Sequence, residues 1–107
     1  MLTEAEIGGL VNRIVARTDP EKVILFGSHA KGTAGATSDL DLLIVQRTDL
    51  PVAHRMDDIR PLLAMFLVRV DVHVYTPEEF EDHSSDRMSF ISSVLKTGRT
   101  VYDRKKD

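Results

Sequence analysis

Three carboxylates and one short turn carry the chemistry open to this sequence. Asp39 and Asp41 stand one residue apart where the apolar run Leu40–Val45 begins, and a strand over that run puts both on one face. Half-buried carboxylates this close repel each other unless a cation lies between them. Mg²⁺ suits the pair, being a hard ion commonly held by one or two carboxylates together with phosphate oxygens and water. Asp71 opens a later alternating run, Val70–Tyr75, on a face shared with His73 and Tyr75. If the two strands are neighbours, three acids can clamp two metal ions, an arrangement that brings a nucleophile in line on phosphorus. Gly27-Ser28 has a separate task. Glycine lets the backbone turn sharply and approach a ligand closely, and Ser28 with the amides after it can bind phosphate at a helix start. Lys31, one helical turn on, adds positive charge, and Gly32–Ser38 links this turn to the paired acids.

The elements that must position these groups follow from periodicity and punctuation. Thr3 and Glu6 form a capping box, and Ile7, Leu10, Val11, Ile14 and Val15 recur at helical spacing, which predicts a helix over residues 4–17 with one buried side. Thr18-Asp19-Pro20 breaks it, and Lys22–Phe26 is an apolar run of strand length ending at Gly27-Ser28. After the second strand, Leu40–Val45, the stretch 51–66 has helical spacing interrupted by Pro61, which predicts a kink or two short helices. Val70–Tyr75 is the third strand. Thr76-Pro77-Glu78-Glu79 is a second capping box with proline at the first helical position, and Tyr75 can staple onto Phe80. That helix continues from about Asp86 with Met88, Ile91, Val94 and Leu95 on one side and stops at a left-handed cap at Gly98, before a short final strand at Arg99–Tyr102.

Composition bounds the rest. The 107 residues suit a single domain, 1–107, and 42% hydrophobic with 29% charged residues is ordinary for a globular protein. The absence of cysteine excludes a disulfide scaffold, a thiolate metal site and a cysteine nucleophile. A formal charge of −3 gives no reason to expect direct nucleic-acid binding. The acidic run Glu78–Asp86 and the basic run Lys96–Asp107 read as solvated surface. No apolar run approaches the ~18 residues of a membrane span and no signal peptide opens the sequence, so a cytoplasmic location without membrane association is expected. His29, His54, His73 and His83 show no metal-ligand spacing and read as surface or satisfied histidines. Among the apolar helix positions, Met56, Met65 and Phe66 are candidates for a partner surface.

At the chemical residues the sequence resembles the minimal nucleotidyltransferases of the DNA polymerase β superfamily, and within them the MntA-like antitoxins of HEPN/MNT pairs. Their signature is Gly-Ser, ten residues, then Asp-x-Asp; here Ser28 is followed by His29 to Ser38 and then Asp39-Leu40-Asp41. Leu25-Phe26 before Gly27, Ser38 before Asp39, Leu42-Leu43-Ile44-Val45 after Asp41, Val70-Asp71-Val72 and Thr76-Pro77-Glu78-Glu79 also look like the family, as does Gly98 followed by Val101-Tyr102. One departure is His29, where many members have arginine, which makes a cationic contact there weaker and pH-dependent.

The resemblance implies an α+β nucleotidyltransferase fold, with helices packed on a mixed three- to four-stranded sheet in the order αβαβαβα and a possible last β. It implies Mg²⁺, two ions, with ATP as substrate: a hydroxyl attacks the α-phosphorus and pyrophosphate leaves. Asp39, Asp41 and Asp71 are then the catalytic metal ligands, with Asp71 also helping to activate the acceptor hydroxyl, and Gly27, Ser28 and Lys31 bind the nucleotide. Small members of this kind pair with a helical HEPN-domain RNase toxin and act as its antitoxin, some by transferring AMP to a tyrosine of that partner. Three functions follow: such a protein adenylyltransferase, a catalytically silent antitoxin that covers its partner, and a nucleotidyltransferase acting on a small molecule. The third is disfavoured because its members usually carry an added helical domain for the acceptor, and this sequence shows none.

Overall fold

A computed structural model of the chain describes residues 2–35, 38–66 and 68–106. The order is α1 (Glu4–Thr18), β1 (Lys22–Phe26), α2 (Ser28–Lys31), β2 (Leu40–Val45), a 3₁₀ turn at Val52–His54, α3 (Arg60–Leu63), β3 (Val70–Tyr75), α4 (Pro77–Ser84), α5 (Phe90–Thr97) and β4 (Arg99–Asp103). The fold is α+β, with one four-stranded mixed sheet ordered β3-β2-β1-β4. β1 runs antiparallel to β2 and β4, whereas β2 and β3 are parallel.

Helices cover both faces of the sheet. Leu40, Leu42 and Ile44 of β2, with Val23 and Leu25 of β1, pack against Ile7, Leu10, Val11 and Ile14 of α1 and against Ile59. The opposite face carries Ile24, Leu43 and Val45 under Ile91 and Val94 of α5. The central strands are buried on both sides, so β2 reads as a nearly unbroken apolar run; each fully buried Leu or Ile contributes ~1.5–3 kcal/mol. Within that run Asp41 is the polar position, half-buried on the α5 face, next to the end of the sheet.

Both capping boxes form. Thr3 accepts from the Glu6 amide while Glu6 Oε1 accepts from the Thr3 amide, and Thr76 and Glu79 do the same at α4. The stretch 51–66 splits as its proline predicts, but Pro61 sits in the first turn of α3, where its missing N–H is harmless, and so helps to start a helix.

The single helix expected after β3 is two, α4 and α5, because the chain turns at 85–89 and Ser89 caps a new start. The second differs further from its sequence pattern. It starts at Phe90, with Ser89 as its cap, leaving Met88 in a turn at 92% exposure and Leu95 at 45% exposure. Gly98 is extended, at φ −81° and ψ 166°, with no left-handed cap. Its requirement is close approach: a Cβ there would lie 2.6 Å from the Val94 carbonyl oxygen and 3.1 Å from that of Leu25. Met56 and Phe66 pack against the core, whereas Met65 is exposed and its sulfur accepts from Arg13 Nη1 at 3.5 Å.

Candidate active site

Asp41 and Asp71 are direct partners in the parallel register of β2 and β3. Side chains at paired positions of neighbouring strands share a face, so the two carboxylates flank each other. Asp39 lies two residues before Asp41, exposed at the start of β2. Hydrogen bonding from the Leu40 amide to the Arg69 carbonyl, at 2.9 Å, ties the beginnings of the two strands together. The topology thus brings together acids separated by some thirty positions in the chain.

The turn after β1 closes over the same point. Phe26 pairs with Asp41 across the antiparallel β1–β2 ladder. Gly27 follows at φ +75°, a conformation glycine adopts without penalty and other residues rarely do. A Cβ at Gly27 would overlap the Asp41 carboxylate oxygen and lie 3.1 Å from its Cγ. The glycine therefore serves two ends, turning the chain and leaving the Asp41 carboxylate its space. Its carbonyl accepts from the Ala30 and Lys31 amides, both at 3.1 Å, so Ser28 opens the single turn of α2, and Gly32 closes it in the left-handed region. Lys31 is exposed at the end of that turn. Ala36 and Thr37 of the Gly32–Ser38 connection lie outside the described residues; beside them the Gly35 amide donates to Ser38 Oγ at 2.8 Å.

The electrostatics of this corner are those of clustered acids. Burial raises the Asp41 carboxyl above its ordinary pKa, and the Asp71 and Asp39 carboxylates push it the same way, against smaller opposing effects of His73 and His29. Arg69 Nε donates to Asp71 Oδ1 at 3.0 Å, but Arg69 is exposed, so solvent screens this pair strongly. Among the described residues no group of three or more Asp, Glu or His side chains is arranged to hold a metal ion by itself. Mg²⁺ keeps several waters and binds through one or two carboxylates plus substrate phosphates. The carboxylate oxygens of Asp39, Asp41 and Asp71 and the space Gly27 leaves at Asp41 suit a hard divalent ion. Asp41 with Asp39 or Asp71 would hold such an ion, which when bound offsets negative charge on phosphate oxygens.

Two features were not legible from spacing. His29 turns inward, its Nδ1 3.0 Å from the Asp39 carbonyl oxygen; a carbonyl only accepts, so Nδ1 carries the hydrogen. His73 is in an aromatic cluster, with its ring centroid 4.8 Å from Phe90 and 6.0 Å from Phe26. The i, i+2 relation of Asp71 and His73 hints at the second, while nothing in the sequence forecasts the first.

The family model described as "Nucleotidyltransferase domain" matches residues 9–96, from within α1 to within α5, and spans the positions of all three acids. The chain belongs to this nucleotidyltransferase family. It is an enzyme family, and the matched stretch includes β1, β2 and β3. A Methanocaldococcus jannaschii protein named "Putative protein adenylyltransferase" is 35% identical over 82 residues, spanning 77% of this chain and 78% of that protein. Among solved structures, a toxin–antitoxin complex with AMP-PNP superposes with a TM-score of 0.64 at 18% identity, over 94% of this chain and 76% of the other. A tyrosine-to-alanine variant of the MntA–HpeT toxin–antitoxin gives 0.59 at 20% identity, over 100% and 77%. At these identities the structural likeness concerns the fold. Among the described residues, no helix is long and apolar enough to cross a membrane.

Proposed function

We propose that this nucleotidyltransferase moves AMP from ATP to a protein hydroxyl, a tyrosine of a HEPN-domain RNase toxin, and thereby acts as that toxin's antitoxin. The observation that carries the reading is the Asp41–Asp71 pairing beside the Gly27 turn. An AMP-transfer site needs a place for the triphosphate, acids that hold its countercharge, and an acid near the incoming oxygen. The turn at Gly27-Ser28 is the phosphate cradle, with Lys31 adding charge from the end of α2. Asp39 and Asp41 hold the countercharge, with Asp71 as the third ligand; Mg²⁺, as two ions, is the cofactor. Asp71, on the edge strand β3, stands on the open side of the pair and takes the proton of the acceptor hydroxyl. The oxygen then bonds to the α-phosphorus as the bond to the β-phosphate oxygen breaks, and pyrophosphate carries away that electron pair.

The relative named as a protein adenylyltransferase supports a protein acceptor, and the likeness to toxin–antitoxin structures supports the toxin partner. The test is incubation of the chain with ATP, Mg²⁺ and the partner, read by intact mass. The expected product is a partner heavier by one or more AMP units, lost when Asp39 and Asp41 are both replaced by Asn. Labelling that persists in the double variant removes the acids from the mechanism. Tight complex formation without labelling by the native chain favours an antitoxin that works by covering its partner.

A further inference from the structure

His29 occupies an unusual position for an imidazole. It lies on the single turn of α2 that carries the Gly27-Ser28 cradle, yet its ring reaches across to the backbone at Asp39, ten residues on. Nδ1 donates to the Asp39 carbonyl, while Nε2 is buried and meets no donor or acceptor among the described residues. The ring is thus held by one directional bond, whose acceptor is the peptide linking Asp39 to Leu40. That peptide has a second anchor on its other side, because the Leu40 amide donates to the Arg69 carbonyl. The peptide that carries Asp39 into β2 is therefore pinned between the cradle turn and β3. Asp39 is exposed, and no other described hydrogen bond fixes it to the cradle.

We propose that His29 is a positioning residue: through its Nδ1–H bond to the Asp39 carbonyl it holds the start of β2 at a fixed distance from the Gly27-Ser28 turn, and so sets where the Asp39 carboxylate stands relative to Asp41. Small displacements of a ligand-bearing segment cost rate out of proportion to their size, about a hundredfold for 1 Å. The kinetic part of the inference rests on the AMP-transfer reading above; the structural part does not.

The geometry separates the two ring nitrogens and hence the two conservative replacements. In Asn the amide nitrogen sits where Nδ1 sits and keeps the donor; in Gln it sits near Nε2 and loses it. Three measurements follow. In the ¹⁵N-labelled chain without nucleotide or metal, nitrogen shifts should show His29 as the Nδ1–H tautomer; an Nε2–H ring overturns the proposal. Mn²⁺ affinity in the presence of a non-hydrolysable ATP analogue should stay within about threefold for His29→Asn and fall about tenfold for His29→Gln and His29→Ala. In AMP transfer the same ranking should appear in kcat, with KM for ATP nearly constant, because the substrate's own contacts are intact. Equal behaviour of the Asn and Gln variants, at matched Tm, overturns the proposal. A native chain that binds Mn²⁺ and the analogue with this ranking but transfers no AMP would refute the activity and leave His29's role standing.

Discussion

Asp41 and Asp71 face each other in register on the parallel strands β2 and β3, and the half-buried member, Asp41, has its carboxyl raised above the ordinary value by burial and by its acidic neighbours. The pairing is unfavourable for the metal-free fold and useful for a cation site. Functional sites are where a fold accepts such repulsion.

Replacing Asp41 by Asn should therefore stabilise the metal-free chain while abolishing nucleotide transfer. The sign follows from linkage. A folded carboxyl with a raised pKa holds its proton more readily than the unfolded one, so stability is lost as pH rises through the carboxylate range and stays lost at neutrality. The Asn variant escapes this loss, so its Tm should exceed the native value at pH 7, and the gap should close below about pH 4. Addition of Mg²⁺ should narrow the gap from the other side, by raising the Tm of the native chain alone. A lower Tm for Asp41→Asn at pH 7 would show that the carboxylate is stabilising without metal.

Gly27→Ala should fail in two ways at once. Positive φ costs a non-glycine residue about 1–2 kcal/mol, and the added methyl meets the Asp41 carboxylate. Relief requires moving either the turn or Asp41, so metal and nucleotide binding should fall more than stability does. Pairing Gly27→Ala with Asp41→Gly, which vacates the space, should recover much of the lost Tm and none of the activity. Thermal melts of the two single variants and the double variant give the coupling directly.

What the sequence showed of this arrangement was the part with local causes. The strands Lys22–Phe26, Leu40–Val45 and Val70–Tyr75, and both capping boxes, follow from side-chain type and spacing within a few residues. The three acids were visible as candidates because a charge in an apolar strand needs a reason. That Asp71 flanks Asp41 depended on a strand order which periodicity leaves open. Met88 and Leu95 keep the helical spacing of Ile91 and Val94 but are exposed: Met88 lies in the turn before α5, and Leu95 lies off the stripe that packs over Ile24 and Leu43. His29's tether depends on a contact across ten residues and on which ring nitrogen points inward, neither of which a sequence pattern encodes.

Gly98 offers a separate check on why a glycine is needed. Its backbone is extended, so a substitution there carries no left-handed strain. The obstacle is the carbonyl of Val94, which also accepts the Gly98 amide hydrogen at 2.7 Å, and the β1 backbone at Leu25. Overpacking of this kind typically costs 1–3 kcal/mol. Gly98→Ala should lower stability by about that amount and weaken the affinity for a metal–nucleotide analogue less than Gly27→Ala does, because it presses on the β1 backbone at Leu25, two residues before the Gly27 turn, and not on the acids of β2 and β3. Chemical denaturation and analogue titration on the same sample would decide it.

Glu79 should mark the acid limit of the fold. Arg55 grips it with two bonds, Nη1 to Oε1 at 2.7 Å and Nη2 to Oε2 at 3.3 Å, and the Thr76 amide adds a third at 2.8 Å. These contacts, led by the arginine, bring the Glu79 carboxyl down to about 2. Arg55 is itself largely buried and also donates to the carbonyls of Leu50 and Val74, so it joins the loop before the 3₁₀ turn, the end of β3 and the start of α4. A depressed folded pKa means that the stabilisation is present above the unfolded value, near 4.3, and is lost as pH falls toward 2. Glu79 is partly exposed, so screening keeps the effect well below what the shift alone would give. Glu79→Gln should lower stability at pH 7 and flatten the decline of Tm between pH 4.5 and 2. Arg55→Lys should lower stability as well despite keeping the charge, since one ammonium cannot serve two carboxylate oxygens and two carbonyls set around a planar fork. Unfolding followed over that pH range would show native and Glu79→Gln curves converging at the acid end; parallel curves would remove Glu79 from the acid transition.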